Sequence, residues 1–585
     1  MEKPDFEHID ENVRTFWKEE TEKFYEMSNP YYKEIRKGVS KFTFQERIRN
    51  ASINNGTMIV IKSLKDGFQL KVGDRVFYST TKMILWARRD SNGHRTAIFE
   101  SDGSDYGHLI IFRDTTKVHE EEGWIWNLAF TDDDFYIVKE TRIETPGMEN
   151  HVSPSVYSGS EVVFGDLVKE GEDVDIHVFG NMAAITVQNA ASGSVYTGLA
   201  SDPSTWKLYS KFNTNLKVMG FMGSDPVILV RSGNGKILAG KKSFDPPGPV
   251  EDAVKVRNGY LILLMEDACI VPILMGEDGT VVKRFAMNQP TGLVSLNSDG
   301  KDAVAVMTCF TSTHMLVRFQ NGNMVVEEEN SVLDSEVEQR ISLFNGIRLH
   351  WFLIKAGKES KNTLVYGYGG FSISLTPSFN PLFAYLLESG INVAVCNLPG
   401  GSEYGEDWHR LGMRENKKNV YGSFQKIIGE LKDEGHNVIC YGVSNGGLLS
   451  AYTLTSIPEK LAGSVIGNPV TDLMSFHKLL AGKYWVDEYG NPDNPEDAEF
   501  LERYSAFHKL VPGNYPPTLI YTRSGDDRVH PSHALKFYKK LKDFGSSAYL
   551  MVGEGGHLGS GMEDITSEIS RIATFMIMVF KGLLN

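Results

Sequence analysis

Cysteine is scarce in this chain, with four in 585 residues, and none stands at a metal-ligand spacing. Cys269, Cys309, Cys396 and Cys440 each lie in an apolar, strand-like stretch, which predicts core thiols kept reduced in a cytoplasmic protein. Long apolar runs are also missing. The late run Phe575 to Phe580 falls far short of the roughly 20 residues that span a bilayer, so no membrane span is expected. The opening residues, Met1 to Glu11, are acidic and lack the apolar core of a secretory signal, so secretion is not expected. Positive charge is in deficit: 60 Lys and Arg against 75 Asp and Glu give a formal charge of -15, which disfavours nucleic acid and anionic membranes as partners.

What the chain does contain is apolar material for two or three domains, since 585 residues exceed one ordinary core. From Asp10 to about Tyr32, Val13, Phe16, Trp17 and Phe24 recur at helical spacing among charges, with Pro30 as the expected stop. This predicts a helical docking arm over 1–41. From Phe42 to Val332 the pattern changes to short strands separated by turns such as Asp90–Gly93, Glu277–Gly279 and Asn297–Gly300. Strand pairs near Phe77, Trp126, Val178, Val218, Val254 and Leu293 recur at about 35 to 50 residues, the period of four-stranded blades. A propeller of six or seven blades over 42–332 fits; a pair of β-sandwiches is the alternative. Over 333–585, strands alternate with helical patterns, which predicts a mostly parallel α/β sheet.

One turn in that last territory carries chemistry. Asn437 to Val443 reads as a strand, Leu448 to Leu454 as a helix, and Gly442-Val-Ser444-Asn-Gly446 joins them as a nucleophile elbow, with glycines where neighbouring backbone comes too close for side chains. A serine hydroxyl needs a base and an orienting carboxylate, which in this fold class come after it in the order Asp or Glu, then His. Asp526, after the strand Thr518 to Thr522, and His557, in the glycine-flanked loop after Ala548 to Val552, meet that order. Asp527 is the second candidate acid. His530 and His533 compete as the base, while His477 and His508 precede the acid. Backbone N–H of Asn445 is the expected first oxyanion donor, and Tyr368 in Tyr366-Gly-Tyr-Gly-Gly370-Phe371 occupies the loop that supplies a second, although by position alone it could be a core residue.

Taken together, Tyr366–Phe371, Gly400-Gly-Ser-Glu-Tyr-Gly405, Gly442–Gly447 and Asp526-Asp-Arg-Val529 resemble, in order, the prolyl oligopeptidase family of serine peptidases. The resemblance covers most of Thr363 to His557. It implies an α/β-hydrolase catalytic domain plus an all-β propeller domain that limits access to short peptides. It implies a Ser444, Asp526, His557 triad with Tyr368 and Asn445 at the oxyanion, and cleavage after proline without metal or cofactor. Trp485 would stack on the proline ring, Phe371, Tyr489 and Val529 would close the pocket, and Arg528 would bind a substrate carbonyl. Short peptides are the expected partners and a monomer the expected state. Pro399, where the family commonly has arginine, is a departure, and the chain is shorter than typical members.

Three rivals stay open. An acylaminoacyl peptidase or esterase would share the plan with a different pocket. A branch preferring basic residues would use acidic groups such as Asp487 or Glu488. A propeller scaffold with an idle hydrolase domain would bind peptides without cutting them.

Overall fold

The computed structural model describes residues 11–584 apart from 103–104, 141, 146–147, 152–153, 170–171, 190–191, 358, 527 and 558–561. Two compact units divide the chain: Gln45–Ser331 forms one, and Met1–Phe44 joins Val332–Asn585 in the other.

In the Gln45–Ser331 unit, short β-rich runs meet at tight turns. Asn55-Gly56 and Asn321-Gly322 both have positive φ at each residue, the geometry that matches a hairpin's twist and that Asn and Gly adopt at least cost. The result is a series of four-stranded antiparallel sheets in sequence order, starting at Arg47, Asp173, Leu216, Val250 and Gly292. Between the first two lies a seven-stranded sheet running from Met83 to Phe164. Its strand Thr116–Phe130 pairs with Tyr106–Arg113 through its first half and with Phe135–Glu140 through its second, so it ends one blade and begins the next. Counted so, the described strands of this unit make seven blades. A register shift recurs near the start of the first strand in six of them, between Ile48 and Asn50 and again at Trp86, Asn127, Gly220, Asp252 and Ser295. Such bulges increase local twist. First and last blades meet through side chains: Ile48, Ala51, Ile53 and Val60 pack on Val304, Val306 and Leu316, and Asn297 Nδ2 donates to the Ala51 carbonyl at 2.8 Å.

The second unit is built on an eight-stranded sheet, numbered β1 to β8 within it: Val337–Phe344, Ile347–Ile354, Asn362–Gly367, Asn392–Cys396, Asn437–Val443, Gly463–Gly467, Thr518–Arg523 and Ala548–Gly553. Their spatial order is β1-β2-β4-β3-β5-β6-β7-β8, antiparallel in its first two pairings and parallel thereafter. β1 and β6 went unread in the sequence. The helices are α1 (Glu11–Thr43), α2 (Pro381–Glu388), α3 (Glu406–Arg410), α4 (Lys417–Asp433), α5 (Asn445–Ser456), α6 (Val486–Tyr489), α7 (Pro495–Tyr504), α8 (Ala506–Lys509), α9 (Ser532–Asp543) and α10 (Met562–Phe580). The continuous core includes Val365, Cys440 and Ile520 from the sheet and Phe424, Leu448 and Phe537 from the helices. No described helix is long and apolar enough to cross a membrane.

Pro30 does not stop the first helix: α1 runs through it to Thr43. Proline removes one helical donor, and the turn before it is held from outside. The Arg571 guanidinium of α10 donates to the Tyr25 carbonyl at 3.2 Å and to Asn29 Oδ1 at 2.9 Å, and lies 4.2 and 3.7 Å from the ring centroids of Tyr25 and Tyr32. Cys309, Cys396 and Cys440 are buried, whereas Cys269 is only half-buried, and all four are free thiols.

Candidate active site

Parallel pairing aligns the carboxyl ends of the strands. Val443 faces Gly467 across β5 and β6, and Arg523 faces Gly553 across β7 and β8, so the residues just past each strand collect along one edge. Ser444 stands between β5 and α5 with φ 61° and ψ −119°, a strained conformation for a residue with a side chain. The turn leaves no room beside it. A Cβ on Gly442 would lie 2.0 Å from the Gly446 carbonyl oxygen, and one on Gly446 would lie 2.6 Å from that of Gly367. These glycines let the chain reverse tightly enough to lift Ser444 from the sheet. α5 begins at Asn445, and its earliest helical bond runs from Leu448 N–H to the Ser444 carbonyl. The N–H of Asn445 therefore has no partner within the helix.

Asp526 comes after β7 and is wholly buried, not the solvated turn that an Asp-rich loop suggests. Its Oδ1 accepts the backbone N–H groups of Arg528 and Val529 at 2.9 and 2.8 Å, and its Oδ2 meets His557 Nδ1 at 2.8 Å. That pairing fixes the orientation of the imidazole through one of its nitrogens. Asp527 lies outside the described residues. Among the competing histidines, His533 is buried in α9 with Nδ1 accepting the Asp472 N–H at 3.2 Å, and burial pushes it down to about 3. His477 meets Asp493 and His508 meets Ser505.

Tyr368 is half-buried, with its phenol facing Ser444. Burial pushes that phenol up to about 12, partly offset by Ser444, so it stays a protonated donor at neutral pH. Asn445 braces this residue from behind: its Nδ2 donates to the Tyr368 carbonyl at 2.6 Å, and its Oδ1 accepts the Tyr489 hydroxyl at 2.9 Å. Tyr489 is buried edge-on to Phe371 at 5.5 Å and to Phe476 at 5.3 Å. Phe371 in turn meets Trp485 edge-on at 6.3 Å, and Val529 is buried in the same cluster. Arg528 is exposed, with no carboxylate partner among the described residues. Tyr368 thus faces Ser444, Asp526 and His557 are in contact, and Phe371, Trp485 and Tyr489 share an aromatic wall.

Two further groups escaped the sequence reading. Glu488, weighed there as an acidic pocket residue, is buried between Lys417 Nζ at 2.9 Å and His409 Nε2 at 2.8 Å, which hold its carboxyl down to about 2 against the cost of burial. Arg523 clamps Glu568 through two bonds of 3.0 and 2.7 Å and also donates to the backbone carbonyl of His557. Both link distant stretches of sequence, and no local pattern marks such pairs. Among the described residues, one cluster has metal-ligand geometry, Glu46, His314 and Glu328 in the propeller unit. Lys62 Nζ already bridges its two carboxylates at 2.7 and 2.6 Å.

An elbow serine at the carboxyl edge of a mostly parallel sheet, with an Asp–His pair beyond it, defines an α/β-hydrolase. Residues 377–582 match the profile of the Prolyl oligopeptidase family. Prolyl oligopeptidase A of Amanita bisporigera is 36% identical over 211 residues, 34% of this chain and 28% of its own length. Prolyl endopeptidase of Elizabethkingia miricola is 36% identical over 235 residues, 39% of this chain and 32% of its own. The matches thus span about a third of those relatives. Among solved structures, a prolyl endopeptidase has a TM-score of 0.81 at 20% identity, over 98% of this chain and 95% of that one. Prolyl oligopeptidase B from Galerina marginata, bound to a hydrolysis and macrocyclization substrate, has a TM-score of 0.82 at 18% identity over 98% and 95%. These likenesses establish the two-part fold, α/β-hydrolase plus propeller.

Proposed function

We propose that this protein is a serine endopeptidase that cleaves short peptides on the carboxyl side of proline. The observation that carries the reading is the buried Asp526 held 2.8 Å from His557 Nδ1, on the strand-end edge where Ser444 occupies a strained elbow facing Tyr368. In this mechanism His557 Nε2 takes the Ser444 proton as Oγ attacks the carbonyl after proline. Asp526 stabilises the imidazolium, the Tyr368 hydroxyl and Asn445 N–H hold the oxyanion, and His557 then protonates the leaving amine. Water, deprotonated by the same imidazole, releases the acyl-enzyme.

Proline selection is supported by the aromatic wall of Phe371, Trp485 and Tyr489, which offers flat apolar faces to a rigid ring. A preference for basic residues is disfavoured, because the charge of Glu488 is already matched by Lys417 and His409. Arg528, exposed beside the site, would donate to a substrate carbonyl. Short peptides as partners, a monomeric state and a cytoplasmic location belong to the same proposal, the last supported by four free thiols.

The test is kcat/KM on matched blocked dipeptide amides ending in Pro, Ala, Phe and Arg, beside an N-acetylated amino-acid amide. Preference for Pro upholds the reading. Preference for the acetylated single residue makes this an acylaminoacyl peptidase, and no turnover with no labelling by a fluorophosphonate makes it a binding scaffold.

A further inference from the structure

Lys417 opens α4 with only 3% of its side chain exposed, far from any role that sequence assigns it. Its ammonium lies 2.9 Å from Glu488 Oε1, 3.4 Å from the Gly369 carbonyl and 5.0 Å from the centroid of the Tyr489 ring. Each contact leads to the site. Gly369 is next to Tyr368 in the chain; Glu488 precedes Tyr489; and Tyr489 reaches the Tyr368 carbonyl through the Asn445 carboxamide. The space between is filled, since a Cβ on Gly370 would come within 2.7 Å of Asn445 Nδ2 and 3.0 Å of Glu488 Oε1. One buried cation thus joins the loop after β3, the first residue of α5 and the short helix α6.

We infer that Lys417 is a positioning residue for the reaction: through Gly369 and Glu488 it holds the Tyr368 phenol against the developing oxyanion and Tyr489 against the substrate ring. This rests on the peptidase reading above. The groups facing Glu488 are Lys417 from α4, His409 from α3, and the phenols of Tyr489 and Tyr368, which burial keeps neutral. Arg414, ahead of α4, is held by Asp497 at 2.6 Å. Removing the ammonium takes away the only lysine or arginine bonded to Glu488 among the described residues and, with it, the tie to the Gly369 carbonyl.

The experiment measures kcat and KM on the proline amide for the wild type, Lys417→Met and Lys417→Met/Glu488→Gln. For Lys417→Met, kcat falls about ten- to hundredfold while KM moves less. In the double variant no buried carboxylate is left without its lysine, yet kcat stays reduced because the tie to Gly369 is gone. Wild-type kcat in Lys417→Met, or a loss shared equally by KM, overturns the inference. If Lys417→Met shows no cooperative melting, the double variant decides: reduced kcat with near-wild-type KM upholds the inference and wild-type kcat overturns it. A wild type that turns over no amide or ester refutes the peptidase reading itself, and the inference falls with it.

Discussion

Replacing Tyr368 by Phe removes one hydroxyl and leaves the rest of the loop in place, because its anchors lie elsewhere: the Tyr368 carbonyl is held by Asn445 Nδ2 at 2.6 Å, and Gly369 by Lys417. The phenol faces Ser444, and burial holds its proton up to about pH 12. In the transition state the same donor would face an oxyanion in a site from which water is excluded. Loss of one such donor costs about 2.7 to 4 kcal/mol, or about 100- to 1,000-fold in kcat. KM should change little, since a neutral carbonyl gains far less than an oxyanion from the bond. The pH profile of the residual activity should keep its shape, because the phenol does not titrate in the working range. Steady-state kinetics on the proline amide at several pH values, with a thermal melt as control, measure all three. An unchanged kcat, or a loss confined to KM, would refute the assignment of Tyr368 to the oxyanion.

Ser444→Ala should abolish both turnover and fluorophosphonate labelling, and should melt at or slightly above the wild-type temperature because the smaller side chain relieves some of the elbow's crowding; residual turnover at the wild-type level removes the serine as nucleophile. Trp485→Ala should lower kcat/KM for proline amides about tenfold or more while alanine amides lose less, and an equal loss on both counts against the stacking role. Glu403, 1% exposed, accepts the Leu375 N–H at 2.9 Å, and its burial pushes the carboxyl up to about 7. The folded state therefore binds a proton that the unfolded state releases near 4.5, so this group costs stability as pH rises from about 4.5 to 7, reaching about 3 kcal/mol above that. Glu403→Gln should flatten that dependence in denaturant titrations, and an unchanged slope would show that the carboxyl is ionised throughout.

The nucleophile elbow was legible because it is local: a strand, a glycine-bounded serine and a helix between Asn437 and Leu454, with geometry imposed by contacts such as Gly442 against Gly446. Asp526 and His557 were legible for a related reason, since parallel strands must deliver the loops at their carboxyl ends to the same edge. Blade periodicity was visible as recurring strand pairs, but not the count, because Thr116–Phe130 serves two blades and shows as one strand. Pro30 misled the reading of α1, since the propensity of proline to end a helix acts locally while Arg571, more than 500 residues away in the chain, holds that turn. Lys417, His409 and Glu488 were likewise invisible as a group. By itself the sequence determined the alternation that builds each unit and the order in which the chemical groups arrive at the sheet edge, since both arise from short-range sterics and hydrophobic period. Only the tertiary structure decided which charges are matched and which carboxyl is left to bind a proton, because desolvation and pairing depend on neighbours that the chain brings together from far apart.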